Sequence, residues 1–209
     1  MRFVFDFGSV LFRWRPNLLM QRTLPRHAVD EASAMHWVAQ VFQAYGGDWG
    51  EFDRGTLSAA EVRERIVART GLAADEVQRV MDEIPHELAP IPETVDLLAR
   101  LRQAGDPMYY LSNMPAPYAD HLEREHDFVG WFADGVFSAR VQLIKPEPAI
   151  FELSARQFGV APERLVFLDD NAHNIEAARA AGWRAVQFHD AAQAERELRQ
   201  AGWWPSAVA

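Results

Sequence analysis

Cysteine is absent. Disulfides, thiolate metal sites and a cysteine nucleophile are therefore excluded. Compartment is not decided by this, because a chain without cysteine is viable anywhere. Lysine is reduced to Lys145, every other member of the 21 basic residues being arginine. No apolar run approaches the roughly 20 residues of a membrane span. Met1-Arg2 leads directly into Phe3-Val4-Phe5, without the basic segment, long apolar stretch and small-residue cleavage site of a secretory leader. The expectation is a soluble, cytoplasmic protein. Positive charge is also short, with a formal net charge of −9. That argues against a nucleic-acid backbone or an anionic membrane as partner. A small anionic ligand stays open, because a metal ion or a few local cations can reverse the field inside a pocket.

The 209 residues, 49% hydrophobic and 24% charged, suffice for a packed core of one domain, or a core with a modest insert. Five short apolar runs read as strands: 2–6, 108–112, 136–138, 165–169 and 185–188. They are apolar at nearly every position, as in a parallel sheet covered on both faces. Helical patterns separate most of them. Pro92 opens one helix with Val95, Leu98 and Leu101 on its apolar face and Gly105 after its end. Residues 148–158 form a second, stopped by Gly159, and 171–181 a third, stopped by Gly182. Alternating strands and helices predict a doubly wound, Rossmann-like α/β core. The stretch 15–90 differs: helices are expected over 26–43, 58–70 and 74–83, with Ser58 and Glu61 as a capping box. The expected division is an α/β core of residues 1–14 and 91–209 and an inserted helical module of residues 15–90.

Ligands of open α/β sheets bind beyond the carboxyl ends of the strands. The residues placed there are Asp6-Phe7-Gly8-Ser9-Val10, Ser112-Asn113, Lys145-Pro146 and Asp169-Asp170-Asn171. One rim thus collects three carboxylates together with hydroxyl, amide and lysine side chains. A carboxylate can attack phosphorus or an activated carbon. Against a phosphate dianion it needs charge neutralisation, which a divalent cation and an ammonium supply. Hard oxygen ligands suit Mg²⁺. A compact ammonium at Lys145 fits a tight site where a guanidinium fork would not.

In order and spacing, Asp6-Phe-Gly-Ser-Val, Leu111-Ser112-Asn113, Lys145-Pro146 and Leu168-Asp169-Asp170-Asn171 resemble the four signature motifs of the haloacid dehalogenase-like hydrolase superfamily. The resemblance covers nearly the whole chain, helical cap included. It is nearest to the small-capped group that includes α-D-glucose-1-phosphate phosphatases, and the segment 52–58 (FDRGTLS) resembles caps of that group. The resemblance implies a Mg²⁺-dependent phosphatase acting through an aspartyl-phosphate. Asp6 would be the nucleophile, and Ser112, Asn113 and Lys145 would bind the phosphoryl group. Asp6, Asp170 and the Gly8 carbonyl would ligate Mg²⁺, with Asp169 and Asn174 in support. The implied partner is a small phosphorylated metabolite, and the expected state is a monomer or weak homodimer.

One departure stands out. Most phosphatases of the superfamily carry a second aspartate two residues after the nucleophile, as general acid and then base; here that residue is Gly8. General acid–base help is worth roughly 10²–10⁴ in rate. The glucose-1-phosphate-like group resembles this chain in having glycine there, and an anomeric oxygen leaves more easily than an ordinary alkoxide, which favours a sugar 1-phosphate. A water or a cap residue is the alternative donor. Two other functions compete: a metal-free 2-haloacid dehalogenase using the same aspartate, and a phosphate-binding or regulatory protein with little turnover. Trp37, Trp49 and Phe52 are candidate pocket walls or simply core. His36, His86 and His173 are candidate pocket residues or solvated surface. Trp203-Trp204 marks a contact surface or packs back on the core.

Overall fold

In the computed structural model, which describes residues 1–205, five parallel strands form one sheet: β1 (Arg2–Phe5), β2 (Met108–Ser112), β3 (Asp134–Phe137), β4 (Leu165–Asp169) and β5 (Arg184–Gln187), in the order β3-β2-β1-β4-β5. The third and fifth predicted strands shift by a residue or two. Side chains alternate between two cores. Phe3, Phe5, Met108, Tyr110, Val166 and Leu168 point to one, and Val4, Tyr109, Leu111, Leu165 and Phe167 to the other, as the two-residue period of a strand requires. Because both faces are covered, the strands need no polar side.

The first face is covered by α6 (Pro92–Gln103), α7 (Ala116–Glu125) and α11 (Ala191–Gln200), the second by α9 (Pro148–Phe158) and α10 (Ala172–Ala180). Pro92 starts α6, Gly159 with φ 63° ends α9, and Gly182 with φ 83° comes just after α10. On α6 the buried residues are Thr94, Leu97, Leu98 and Leu101, while Val95 is half-buried. A short α8 (Ser138–Val141) comes directly after β3. Trp203 and Trp204 pack against the first core, under the guanidinium groups of Arg184 and Arg199. Residues 206–209 lie outside the described chain. No helix among the described residues is long and apolar enough to cross a membrane.

Between β1 and α6 the chain is helical: α1 (Pro16–Thr23), α2 (Glu31–Phe42), α3 (Gly47–Arg54), α4 (Ala59–Thr70) and α5 (Ala74–Glu87). The expected helix over 26–43 starts only at Glu31, because Asp30 and Ser33 cap each other there; α1 and α3 are additional to the expected helices. The Ser58–Glu61 capping box is present. α5 runs beyond the expected residue 83 and through Pro85. A proline in a helix leaves the carbonyl four residues earlier without its bond; that carbonyl, Met81 O, accepts from the Tyr118 hydroxyl at 3.1 Å. The two connections of the helical segment run side by side: Arg13 N–H donates to Ala89 O and Ile91 N–H to Leu11 O, both at 2.8 Å.

Candidate active site

The strand order reverses between β1 and β4, and a crevice opens beyond the carboxyl ends at such a switch point. The tips of these two strands carry Asp6 and Asp169. Asp6 N–H donates to Leu168 O at 2.9 Å, extending the ladder by one residue and fixing the carboxylate at the rim. Lys145, between α8 and α9, places its Nζ 2.8 Å from Asp6 Oδ1 and 2.7 Å from Asp169 Oδ2, with all three side chains nearly closed to solvent. Asn113, after β2, holds that lysine in place. Its Oδ1 accepts from Lys145 N at 2.8 Å and its Nδ2 donates to Lys145 O at 3.0 Å.

Asp169 is saturated. Oδ1 accepts from Asn171 N at 2.8 Å and Asn174 Nδ2 at 3.0 Å, while Oδ2 accepts from Lys145 and, at 3.1 Å, from the same Asn174 amide. Asp6 and Asp170 have oxygens to spare. Carboxylate oxygens of Asp6, Asp169 and Asp170 lie within 4.8 Å of one another. Burial pushes the Asp6 carboxyl up to about 7, with Lys145 opposing and Asp169 and Asp170 adding to the rise. Burial and then Asp169 also raise Asp170. Burial lowers the Lys145 ammonium, but Asp169 and Asp6 outweigh it and hold the group above its ordinary value. Three acids facing one ammonium leave an excess of negative charge that a cation would neutralise. The donors, all hard oxygens, fit Mg²⁺.

These groups floor a cavity of about 400 Å³, within the range of small-molecule sites. Asp6, Gly8, Ser112, Asn113, Lys145, Asp170 and Asn174 border it, whereas Asp169 supports it from beneath. Gly8 lines the cavity with open space where a Cβ would stand. Of the aromatic candidates only Trp49 reaches the wall; Phe52 backs it edge-on to Trp49 and Tyr118, and Trp37 packs on His27 and His36. Of the histidines, His173 borders the cavity and His36 and His86 do not.

The sequence motifs give no role to Trp14, Tyr45, Leu88, Met114, Tyr118 or Asp53, all of which line the cavity. For Asp53 a signal exists. It lies four residues after Trp49 and one after Phe52, on the apolar stripe of α3, which makes it a buried acid. Its exposure is 4%. Burial pushes its carboxyl up to about 8, with Lys145 and Trp49 pulling the other way.

Residues 2–182 match the family model of haloacid dehalogenase-like hydrolases. A phosphoglycolate phosphatase of Escherichia coli is 33% identical over 87% of this chain and 78% of its own length. A sesquiterpene phosphatase of Aspergillus oryzae is 26% identical over 94% of both chains. Among solved structures, a HAD family enzyme from Bacteroides thetaiotaomicron in complex with magnesium and inorganic phosphate superposes with a TM-score of 0.71 at 20% identity, over 90% of this chain and 94% of that one.

Proposed function

The chain belongs to the haloacid dehalogenase-like hydrolase family, and from that premise we propose that it is a Mg²⁺-dependent phosphatase of a small organic phosphate monoester, with Asp6 as nucleophile. The observation that carries this is the pairing of a cavity-facing Asp6 with the buried Lys145 ammonium at 2.8 Å, beside the unsaturated Asp170. Asp6 attacks phosphorus in line with the departing oxygen. Lys145 and Ser112 hold the phosphoryl oxygens. Asn113 acts by fixing the Lys145 backbone, since both ends of its amide are engaged there. Asp6, Asp170 and the Gly8 carbonyl hold Mg²⁺, which supplies the charge neutralisation that attack on a dianion needs. Asp169 and Asn174 keep Lys145 aimed. Residues 15–90 serve as the cap that covers the ester's organic part.

The walls point to the identity of that organic part. Gly8 supports a good leaving group such as a sugar 1-phosphate and the glucose-1-phosphate-like group. The walls favour another ester: Trp14, Trp49, Ile84, Leu88, Met114 and Tyr118 face the space above the phosphate site and offer little to sugar hydroxyls. Burying such hydroxyls without partners costs roughly 1–3 kcal/mol each. An apolar alcohol is the better occupant, and the Aspergillus relative named a sesquiterpene phosphatase is consistent with it.

Phosphate release from sugar phosphates, phosphoglycolate and isoprenyl phosphates, each with Mg²⁺ and with EDTA, tests both levels. Release that needs Mg²⁺ and is lost in Asp6→Asn is expected, with isoprenyl phosphates ahead of sugar phosphates. Chloride release from a 2-haloacid in EDTA would favour the dehalogenase reading. Binding of inorganic phosphate without turnover of any ester would favour the regulatory one.

A further inference from the structure

Gly8 leaves the cavity without the proton source that an aspartate at that position would supply. Lys145 and Asp169 are bonded to each other, and Asp6 is the attacking group. In an in-line displacement the leaving oxygen departs on the side of phosphorus away from the nucleophile. Here that side is the helical segment, and Asp53 is the one carboxyl that this segment contributes to the cavity lining among the described residues.

Asp53 is held there by three contacts of residues 53–55, one with the loop that carries Lys145 and two with α8 just before it. Arg54 donates to both oxygens of Glu147, at 2.9 and 2.6 Å. The Ser138 hydroxyl donates to the Asp53 carbonyl at 2.5 Å. Gly55, with φ +80°, lies so close to Ala139 that a Cβ would collide with its carbonyl oxygen. Held in this way, the Asp53 side chain forms no ion pair among the described residues; the Lys145 ammonium is taken by Asp6 and Asp169.

We propose that Asp53 is the general acid of this hydrolase, supplying from the helical segment the proton that position 8 cannot, and then the base for the second half-reaction. The proposal rests on the phosphatase reading above. In the first step an Asp6 oxygen lone pair forms a bond to phosphorus. The P–O bond of the ester breaks, its electron pair goes to the ester oxygen, and the Asp53 carboxyl gives that oxygen its proton. The products are the alcohol, a phosphorylated Asp6 and an Asp53 carboxylate. Water then attacks phosphorus and gives a proton to Asp53. The bond from phosphorus to Asp6 breaks, and its electrons return to the carboxylate. Ester and water have become alcohol and phosphate, and both aspartates are restored. The raised carboxyl of Asp53 agrees with this, since an acid poised near the working pH is protonated before attack and still a competent donor.

The test compares kcat/KM in Mg²⁺ for two apolar esters of similar size, benzyl phosphate, whose alkoxide needs a proton, and 4-nitrophenyl phosphate, whose phenoxide does not. This constant covers events only through leaving-group departure, and the ratio of the two is independent of the fraction of protein folded. Asp53→Asn is expected to lower kcat/KM for benzyl phosphate by about 10²–10³ and to change the nitrophenyl ester only a few-fold. Adding Gly8→Asp to that variant is expected to recover part of the benzyl rate, because the new side chain enters open space on the same cavity. An equal loss for both esters, or no loss for either, overturns the proposal. Wild type that releases phosphate from neither ester fails the phosphatase reading, and the proposal falls with it.

Discussion

Lys145 Nζ and Asp169 Oδ2 stand 2.7 Å apart with side-chain exposures of 1% and 0%. The same ammonium reaches Asp6 at 2.8 Å, so one cation serves two acids. The two acids differ in their other partners, because Asp169 is also bound by Asn171 and Asn174. With both its oxygens engaged, Asp169 anchors the Lys145 ammonium, which Asp169 and Asp6 together hold above its ordinary value against the effect of burial. Asp6 has only Lys145 as a side-chain partner and keeps its other oxygen free, as the proposed nucleophile requires.

Breaking that pair should be costly. Asp169→Asn leaves Lys145 with a single acid partner and removes its anchor, and losing one partner of a buried ion pair costs about 3–5 kcal/mol. Urea unfolding is expected to show a loss of that order, together with a fall in kcat. An Asp169→Asn protein as stable and as active as wild type would mean that Asp6 alone positions the lysine.

Metal binding should register in stability as well as rate. On the proposed site, Mg²⁺ held by Asp6 and Asp170 would bind the folded chain alone and raise its melting temperature in proportion to ln(1 + [Mg²⁺]/Kd). Asp170→Asn is expected to shift the Mg²⁺ titration of melting temperature to higher concentration, roughly tenfold or more for a lost carboxylate ligand. A titration unchanged by this substitution places the cation elsewhere.

Asp53 sets a pH dependence with two readouts. The charged and titratable groups around it are Lys145 from the core loop, Tyr45 ahead of α3 and Tyr118 on α7. Its folded-state value, about 8, lies above the ordinary carboxylate value. The associated stability is therefore present in full below the ordinary value and is lost as pH rises through about 8. On the general-acid reading, kcat/KM for benzyl phosphate falls as pH rises past about 8, where the folded protein loses the Asp53 proton. Asp53→Asn cannot ionise, so its melting temperature at pH 9 is expected to exceed that of wild type, by about 2–4 °C for each kcal/mol of ionisation cost removed. Coincident melting curves at pH 9 would show an Asp53 that ionises without penalty.

The walls make their own prediction. Met114→Gln keeps length and volume but puts an amide on a buried apolar surface. For an isoprenyl phosphate KM should rise about tenfold, corresponding to roughly 1–2 kcal/mol of unpaired polar burial. Inhibition by inorganic phosphate, bound on the floor, should not change. Equal weakening of both would indicate a disturbed floor instead.

Much of this is legible in the chain. The runs around Val4, Leu111 and Phe167 are apolar at consecutive positions because both sheet faces are buried, so the parallel core can be read directly. Asp6, Lys145 and Asp170 come after strand tips, and topology alone brings strand tips together. The helical segment is harder. α1 has few apolar residues to set a period, and the α2 start depends on which of several polar residues caps it. Proline at position 85 reads as a helix end unless a distant hydroxyl, that of Tyr118, satisfies the freed carbonyl. Asp53 is hardest to place. That it is buried can be inferred from its neighbours on α3, but that it faces the cavity depends on Gly55 against Ala139 and Arg54 against Glu147, contacts between residues 84 and 93 positions apart.

The proposed nucleophile can be tested directly. Protein mixed with ³²P-labelled substrate in Mg²⁺, quenched in acid within the first turnover and digested, should carry label on the N-terminal peptide at Asp6. Hydroxylamine, which cleaves acyl phosphates, should remove it. Label on any other residue, or turnover by Asp6→Asn at the wild-type rate, would contradict the account at its centre.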